Sequence, residues 1–287
     1  MNVDKISRLM NIRKLFVLLY TRAGFGKTTS LLNLEWERVL YITTESGFRV
    51  LQGMLVLIEK LYDEAILTSK EETLAKFKSE RPDMSDQLLE TYNTALTHRL
   101  SKPKDYLLEI DHISVDCQQD LFSKTIWDAY NEKAMFHGID MSKKDIIVVD
   151  TITYYSDIVV KERQIANANN NNKFATWAEH ATAIKTLLDN LVVLRGIKVV
   201  IGHEGYDKDL KKRTLALQGD AVKTDISGRF NVVLYGTELK DEDTNKTTRV
   251  FITNPDIIQE KVDAKSQDPR LSEIEDMDLA KILYKLS

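Results

Sequence analysis

Short apolar runs punctuate the chain, each closing on polar residues: "LFVLLY" (15–20), "RVLYITT" (38–44), "DIIVVD" (145–150), "IKVVIGH" (197–203), "FNVVLYG" (230–236) and "TRVFITN" (248–254). Their length and β-branched content predict buried strands, with helical stretches separating several of them. Alternation of this kind predicts an α/β fold with a mostly parallel central sheet flanked by helices. The last two runs are joined by the turn-rich "TELKDEDTNKT", which predicts an antiparallel hairpin at one edge. "TWAEHATAIKTLLDNLVVLR" spaces Trp177, Ala181, Ile184, Leu188 and Leu191 at helical intervals, predicting a covering helix with these residues in the core.

Two segments break the alternation. Residues 52 to about 138 read as a long, mostly helical insertion within one domain spanning 1–287, its charged faces a solvated surface, a lid or a partner surface. "QIANANNNNK" (164–173) is polar and of low complexity, which predicts a loop. Near the end, Ser272 and Glu275 have capping-box spacing ahead of "DMDLAKILYKL", predicting a closing helix there.

The chemistry starts behind the first run. "TRAGFGKTT" places Thr21, Arg22, Ala23, Gly24, Phe25, Gly26, Lys27, Thr28 and Thr29 between a buried strand and a helix-capable run. This is a phosphate-binding loop in which Thr21 stands where the pattern has its first glycine. Such loops aim consecutive backbone N–H groups at one small space at a helix N-terminus. Gly24 and Gly26 allow the tight path, Lys27 brings the charge, and Thr28 brings a hydroxyl for Mg²⁺. "KKDIIVVDT" offers Asp150 as the second Mg²⁺ element; the following residue is Thr151, which disfavours enzymes with a catalytic glutamate at that position. Glu45, ending "RVLYITTES", is the candidate for activating water, and His203, with Glu204 beside it, for sensing the terminal phosphate.

Composition sets bounds on this reading. A formal charge of -4 over 287 residues gives no global attraction to nucleic acid, so any such contact has to be local. Cys117 is the single cysteine, which excludes an internal disulfide and fits a reducing compartment. No apolar run reaches the roughly 20 residues of a bilayer span, and the first residues carry no secretory core. The expectation is a cytoplasmic protein.

Together, "FVLLYTRAGFGKTT", "VLYITTESG", "DIIVVDTIT" and "KVVIGHE" resemble the RecA-like P-loop ATPase core over residues 14–50 and 144–270. More narrowly the chain resembles the short phage-encoded RecA-like NTPases of the single-strand annealing recombinase group. The resemblance implies ATP and Mg²⁺ as cofactors, a ring or filament of identical subunits, single-stranded DNA as partner and a place in host cytoplasm. It implies DNA contacts from a loop at 157–174, with Lys161, Arg163 and Lys173. A second loop at 205–224 carries Tyr206, Lys208, Lys211, Lys212 and Arg213. It also implies a basic residue reaching a neighbouring subunit's site, with Lys265 and Arg270 as candidates and Arg249 as a weaker one. A P-loop kinase and a nucleotide-dependent binding module, such as a replication loader or an inhibitor of a host system, stand as alternatives.

Overall fold

A computed structural model describes residues 15–44, 47–106, 108–117, 124–169, 172, 174–219, 226–241, 244–266 and 268–286. Among the described residues the parallel part of its sheet is built from β1 (Phe16–Thr21), β2 (Val39–Thr43), β3 (His112–Ser114), β4 (Ile146–Asp150), β5 (Ile197–Asp207) and β6 (Val232–Lys240). β7 (Thr247–Ile252) and β8 (Ile274–Asp276) extend it, in the order β8-β7-β6-β1-β5-β4-β2-β3, and two short strands pair off this path, Lys212–Leu215 with β5 and Lys265–Ser266 with β6. Every pairing from β6 to β3 is parallel, and β7 and β8 are antiparallel to their neighbours. The expected edge hairpin is therefore β6 and β7.

The sheet is sandwiched because its central strands are apolar on both sides. In β1, Phe16, Leu18 and Tyr20 enter one core, while Val17 and Leu19 enter the other. The same alternation sends Ile147 and Val149 of β4 to the first core and Ile146 and Val148 to the second. Among the described residues the first face is covered by α6 (Ile152–Ala166), by α7 (Ala175–Val193), which buries Ala181, Ile184, Leu188 and Leu191, and by Ile126, Trp127 and Tyr130 of a shorter helix. Trp177 departs from expectation: it stays 39% exposed, its ring instead lying where a Cβ on Gly219 would be 3.1 Å away.

The second face is covered by Leu31, Leu32 and Leu34 after the short α1 (Lys27–Ser30), by α2 (Gly47–Leu67), α3 (Lys70–Ser79) and α4 (Asp86–Leu100), and by the C-terminal helix through Leu279, Ile282, Leu283 and Leu286. Ser69 and Ser85 cap α3 and α4, accepting from the N–H of Glu72 (3.1 Å) and Leu88 (3.2 Å). The segment is mostly helical, as expected, with one return to the sheet. His112–Ser114 rejoins the sheet as β3, too short and too exposed to carry a strand signature, before α5 (Lys124–Glu132) begins. Arg99, 2% exposed, ties α4 to α2 through Glu59 at 2.8 Å and lies over the Tyr62 ring at 3.7 Å.

Two further expectations are corrected. Gln164–Ala166 are the last turn of α6, closed by Asn167 N–H on Arg163 C=O at 2.9 Å, so the polar stretch does not begin as a loop. The low helical penalty of Gln and Ala explains this. Asn170, Asn171 and Lys173 lie outside the described residues. Glu275 does accept from Ser272 N–H (2.7 Å), but within the strand β8. The closing helix α8 (Leu279–Leu286) starts later, where Asp278 Oδ1 accepts from Lys281 N–H. No helix among the described residues is long and apolar enough to cross a membrane.

Candidate nucleotide site

The site is built on the C-terminal edge of the parallel strands. Register fixes it: Thr21 of β1 lies beside His203 of β5, Asp150 of β4 beside Ile201, and Thr43 of β2 beside Asp150. The loop leaves β1 at this edge and turns into α1.

Thr21 replaces the expected glycine without backbone strain, because its neighbour makes room. Its hydroxyl donates to Gly236 C=O on β6 at 2.9 Å. A Cβ on Gly236 would fall 2.9 Å from Thr21 Cβ, so a small residue is required on one strand or the other, and here it is on β6. Arg22, Ala23 and Gly24 are exposed, leaving the loop backbone open, whereas Phe25 is 2% exposed and anchors it. Gly24 (φ 71°) and Gly26 (φ 106°) adopt the left-handed conformations that the tight path requires. Gly26 C=O then accepts from Ser30 N–H (3.0 Å), starting α1.

Lys27 is 6% exposed, its ammonium near Arg22 C=O (3.5 Å) and 3.2 Å from His203 Nδ1. An ammonium can only donate, so in this contact Nδ1 is the acceptor. His203 is oriented further by its own N–H, which donates to Thr153 Oγ1 (2.9 Å), and by the Tyr154 ring, edge-on at 5.6 Å. Thr28 and Thr29 lie half-buried on α1.

Asp150 is 1% exposed and continues the Ile146–Val148 side of β4, the side covered by α1. Tyr41 Oη donates to its Oδ2. The peptide between Asp150 and Thr151 is cis. Thr44 fastens β2 to this strand end: its hydroxyl donates to Thr151 C=O (2.8 Å) and accepts from Thr151 N–H (3.0 Å), and its N–H donates to Asp150 C=O (2.9 Å). Glu45 lies outside the described residues; the chain leading into it is thus anchored beside Asp150. Tyr41, Thr44 and Thr153 carry no motif letter, and only the strand pairing reveals them.

These positions fit a nucleoside triphosphate with a magnesium ion. The open backbone and the buried ammonium suit phosphate, and Asp150 with the Thr28 hydroxyl would hold the ion. Among the described residues no cluster of three or more His, Cys, Asp or Glu side chains forms a metal cage. Mg²⁺ needs no such cage, being held by one or two carboxylates plus substrate phosphates and water.

Other expected residues lie elsewhere. Glu204 is engaged by Arg213 and by Tyr235 Oη (2.6 Å), so it faces these groups on the sheet's other core. Burial, with Glu204 adding to it, pushes the Tyr235 hydroxyl well above its ordinary range. Lys161 and Arg163 sit on α6, and Arg163 pairs with Glu179 at 3.6 Å. In the hairpin after His203, Lys212 pairs with Asp263, and Arg213 bridges Glu204 and Glu260. Intramolecular carboxylates therefore hold both, correcting the picture of four available cations. Tyr206 (58% exposed), Lys208 and Lys211 are at the open end.

Lys265 pairs with Val233, level with Leu18 at mid-sheet, and Arg270 is bound by its neighbour Asp268 at 2.6 Å. Arg249 is instead beside its own loop. Its Nη1 donates to Phe25 C=O (3.3 Å), its guanidinium lies over the Phe25 ring, and Glu238 holds both Arg249 (3.3 Å) and Arg22 (2.9 Å). The cause is register: antiparallel pairing sets Arg249 opposite Glu238, just past the loop edge.

No curated protein matches the chain. The sequence profile of the AAA domain covers residues 13–267, from the approach to β1 through the short strand that pairs with β6. With the P-loop edge built as described and the match extending over most of its length, the chain belongs to the AAA domain family of P-loop ATPases.

Proposed function

We propose that this AAA-family domain is a RecA-like, Mg²⁺-dependent ATPase that assembles into oligomers on single-stranded DNA and acts in annealing, recombination or replication. The observation that carries the reading is the meeting of Lys27, His203 and the open loop at one sheet edge, with Asp150 on the same face. The sheet order supports the RecA-like form: β5 separates the loop strand from the Asp150 strand, and an antiparallel hairpin extends the far side. Lys27 neutralises phosphate charge, His203 reports the terminal phosphate, and Glu45 orients water. The hairpin end, with Tyr206 for base stacking and Lys208 and Lys211 for phosphates, supports the DNA contact.

The test is ATP hydrolysis at low salt with and without single-stranded DNA, with particle mass followed in parallel. DNA should raise turnover and mass together; unchanged turnover would remove the DNA part. A second reading, a nucleotide-dependent binding module, draws on the apolar residues that α2 leaves exposed, Val50 (59%), Val56 (56%) and Leu67 (84%). Tight ATP binding without turnover would favour it.

A further inference from the structure

The nucleotide reading says where phosphates go; a neighbouring cleft says where the rest of the nucleotide goes. A cavity of about 440 Å³ opens beside the loop, floored by Phe25, Gly26 and Thr29. One wall is the start of α4 and the residues before it, including Ser85 and Leu88; the other is Thr247, Arg249 and Met277. Its volume lies in the usual range for small-molecule sites, about 300–1,000 Å³.

Resting on the triphosphate reading, we propose that this cleft takes the nucleoside, so that the helical segment after β2 forms one side of the base and ribose pocket. The direction follows from the loop. The Lys27 ammonium points toward His203, which marks the terminal-phosphate end. Gly26 and Thr29 line the cleft, so a chain of phosphates on this loop leaves its sugar on that side.

The lining suits an uncharged, flat group carrying hydrogen-bond donors. Met84, Leu88 and Met277 give apolar faces, and the Met277 methyl would be 3.5 Å from a Cβ on Gly26. Asp83 adds a carboxylate that can accept from the amino group of a purine, while Glu238 is held by Arg249 and Arg22.

The α4 wall is fastened in place. Gln87 donates through Nε2 to Arg249 C=O (2.6 Å) and accepts at Oε1 from Arg249 N–H (3.3 Å). Its amide is therefore spent on joining α4 to β7 across the cleft, and Gln87 acts as a positioning residue.

Titration calorimetry with ATP and with inorganic tripolyphosphate separates the two halves of the site. Thr247 is exposed at the cleft rim, so Thr247→Trp fills the cavity from outside the core. ATP affinity should fall by about tenfold or more, equal to about 1.4 kcal/mol, with tripolyphosphate affinity unchanged. Gln87→Ala, which unfastens the wall, should weaken ATP by a smaller factor, again sparing tripolyphosphate, and it carries the test if the tryptophan variant does not fold. Unchanged ATP affinity, or equal losses for both ligands, would overturn the proposal. Lys27→Ala should weaken both ligands whatever the cleft does, so a failure of the phosphate reading shows separately.

Discussion

Thr21 and Gly236 share one volume, and the free-energy consequence is specific to the pair. Gly236→Ala drives a methyl into the Thr21 side chain, an overpacking expected to cost about 1–3 kcal/mol. Thr21→Gly removes a buried hydroxyl bond worth about 1 kcal/mol and adds chain entropy. In urea unfolding the double variant should be more stable than the sum of the single losses implies, with a coupling of about 0.5–3 kcal/mol. Strict additivity would show that the two strands do not trade this space. Tyr41 is the matching case for chemistry. Its hydroxyl steadies the Asp150 carboxylate, a bond to a charged group worth about 1.5–3 kcal/mol. Tyr41→Phe should lower Mg²⁺-ATP turnover by about tenfold and raise the Mg²⁺ needed for half-maximal rate; an unchanged Mg²⁺ requirement would remove Tyr41 from the site. Neither role is visible along the chain, because each depends on the strand that lies alongside.

Elements join at charged contacts whose strength depends on pH. Glu37, between α1 and β2, accepts from Lys102 Nζ (2.9 Å) and Tyr106 Oη (2.6 Å), fastening the exit of the helical segment to the sheet. Burial pulls its carboxyl up, yet these bonds outweigh burial and hold it at about 2, below its ordinary 4.5. A depressed carboxylate adds stability above its unfolded value, so this contribution is complete above pH 4.5 and disappears as pH falls toward 2. Glu37→Gln should flatten that part of the stability profile in acid unfolding; parallel profiles would show that the contact does not survive in solution. Elements also divide by how far their pattern announced them. β1, β4 and the first six residues of β5 are buried and read as largely apolar runs. β3 is three residues with alternating exposure, and β8 lies under a capping-box spelling, so local pattern pointed away from both. Long-range pairing decides such short edges.

At the scale of the whole molecule, function depends on which strand ends are neighbours. The loop and the Asp150 run could be read from glycine spacing and apolar runs, since each motif is local. Sheet order could not, and it is what brings His203 to Lys27 and lays Arg249 against Phe25. It also explains the exchange of roles among the basic residues. Lys212 and Arg213 look available in sequence, but folding sets Asp263, Glu204 and Glu260 against them. Arg249, far from the loop in sequence, comes to stand beside it. A net charge of -4 says nothing about these local arrangements.

The central prediction is that the loop edge binds a triphosphate and turns it over. The most direct measurement is steady-state ATP hydrolysis in Mg²⁺ by the intact chain and by Lys27→Ala, with ATP binding titrated on the same samples. Turnover by the intact chain is expected, and in the variant loss of that turnover with weakened binding while the fold is retained. Equal hydrolysis by both proteins, or ATP binding that ignores the loss of Lys27, would contradict it.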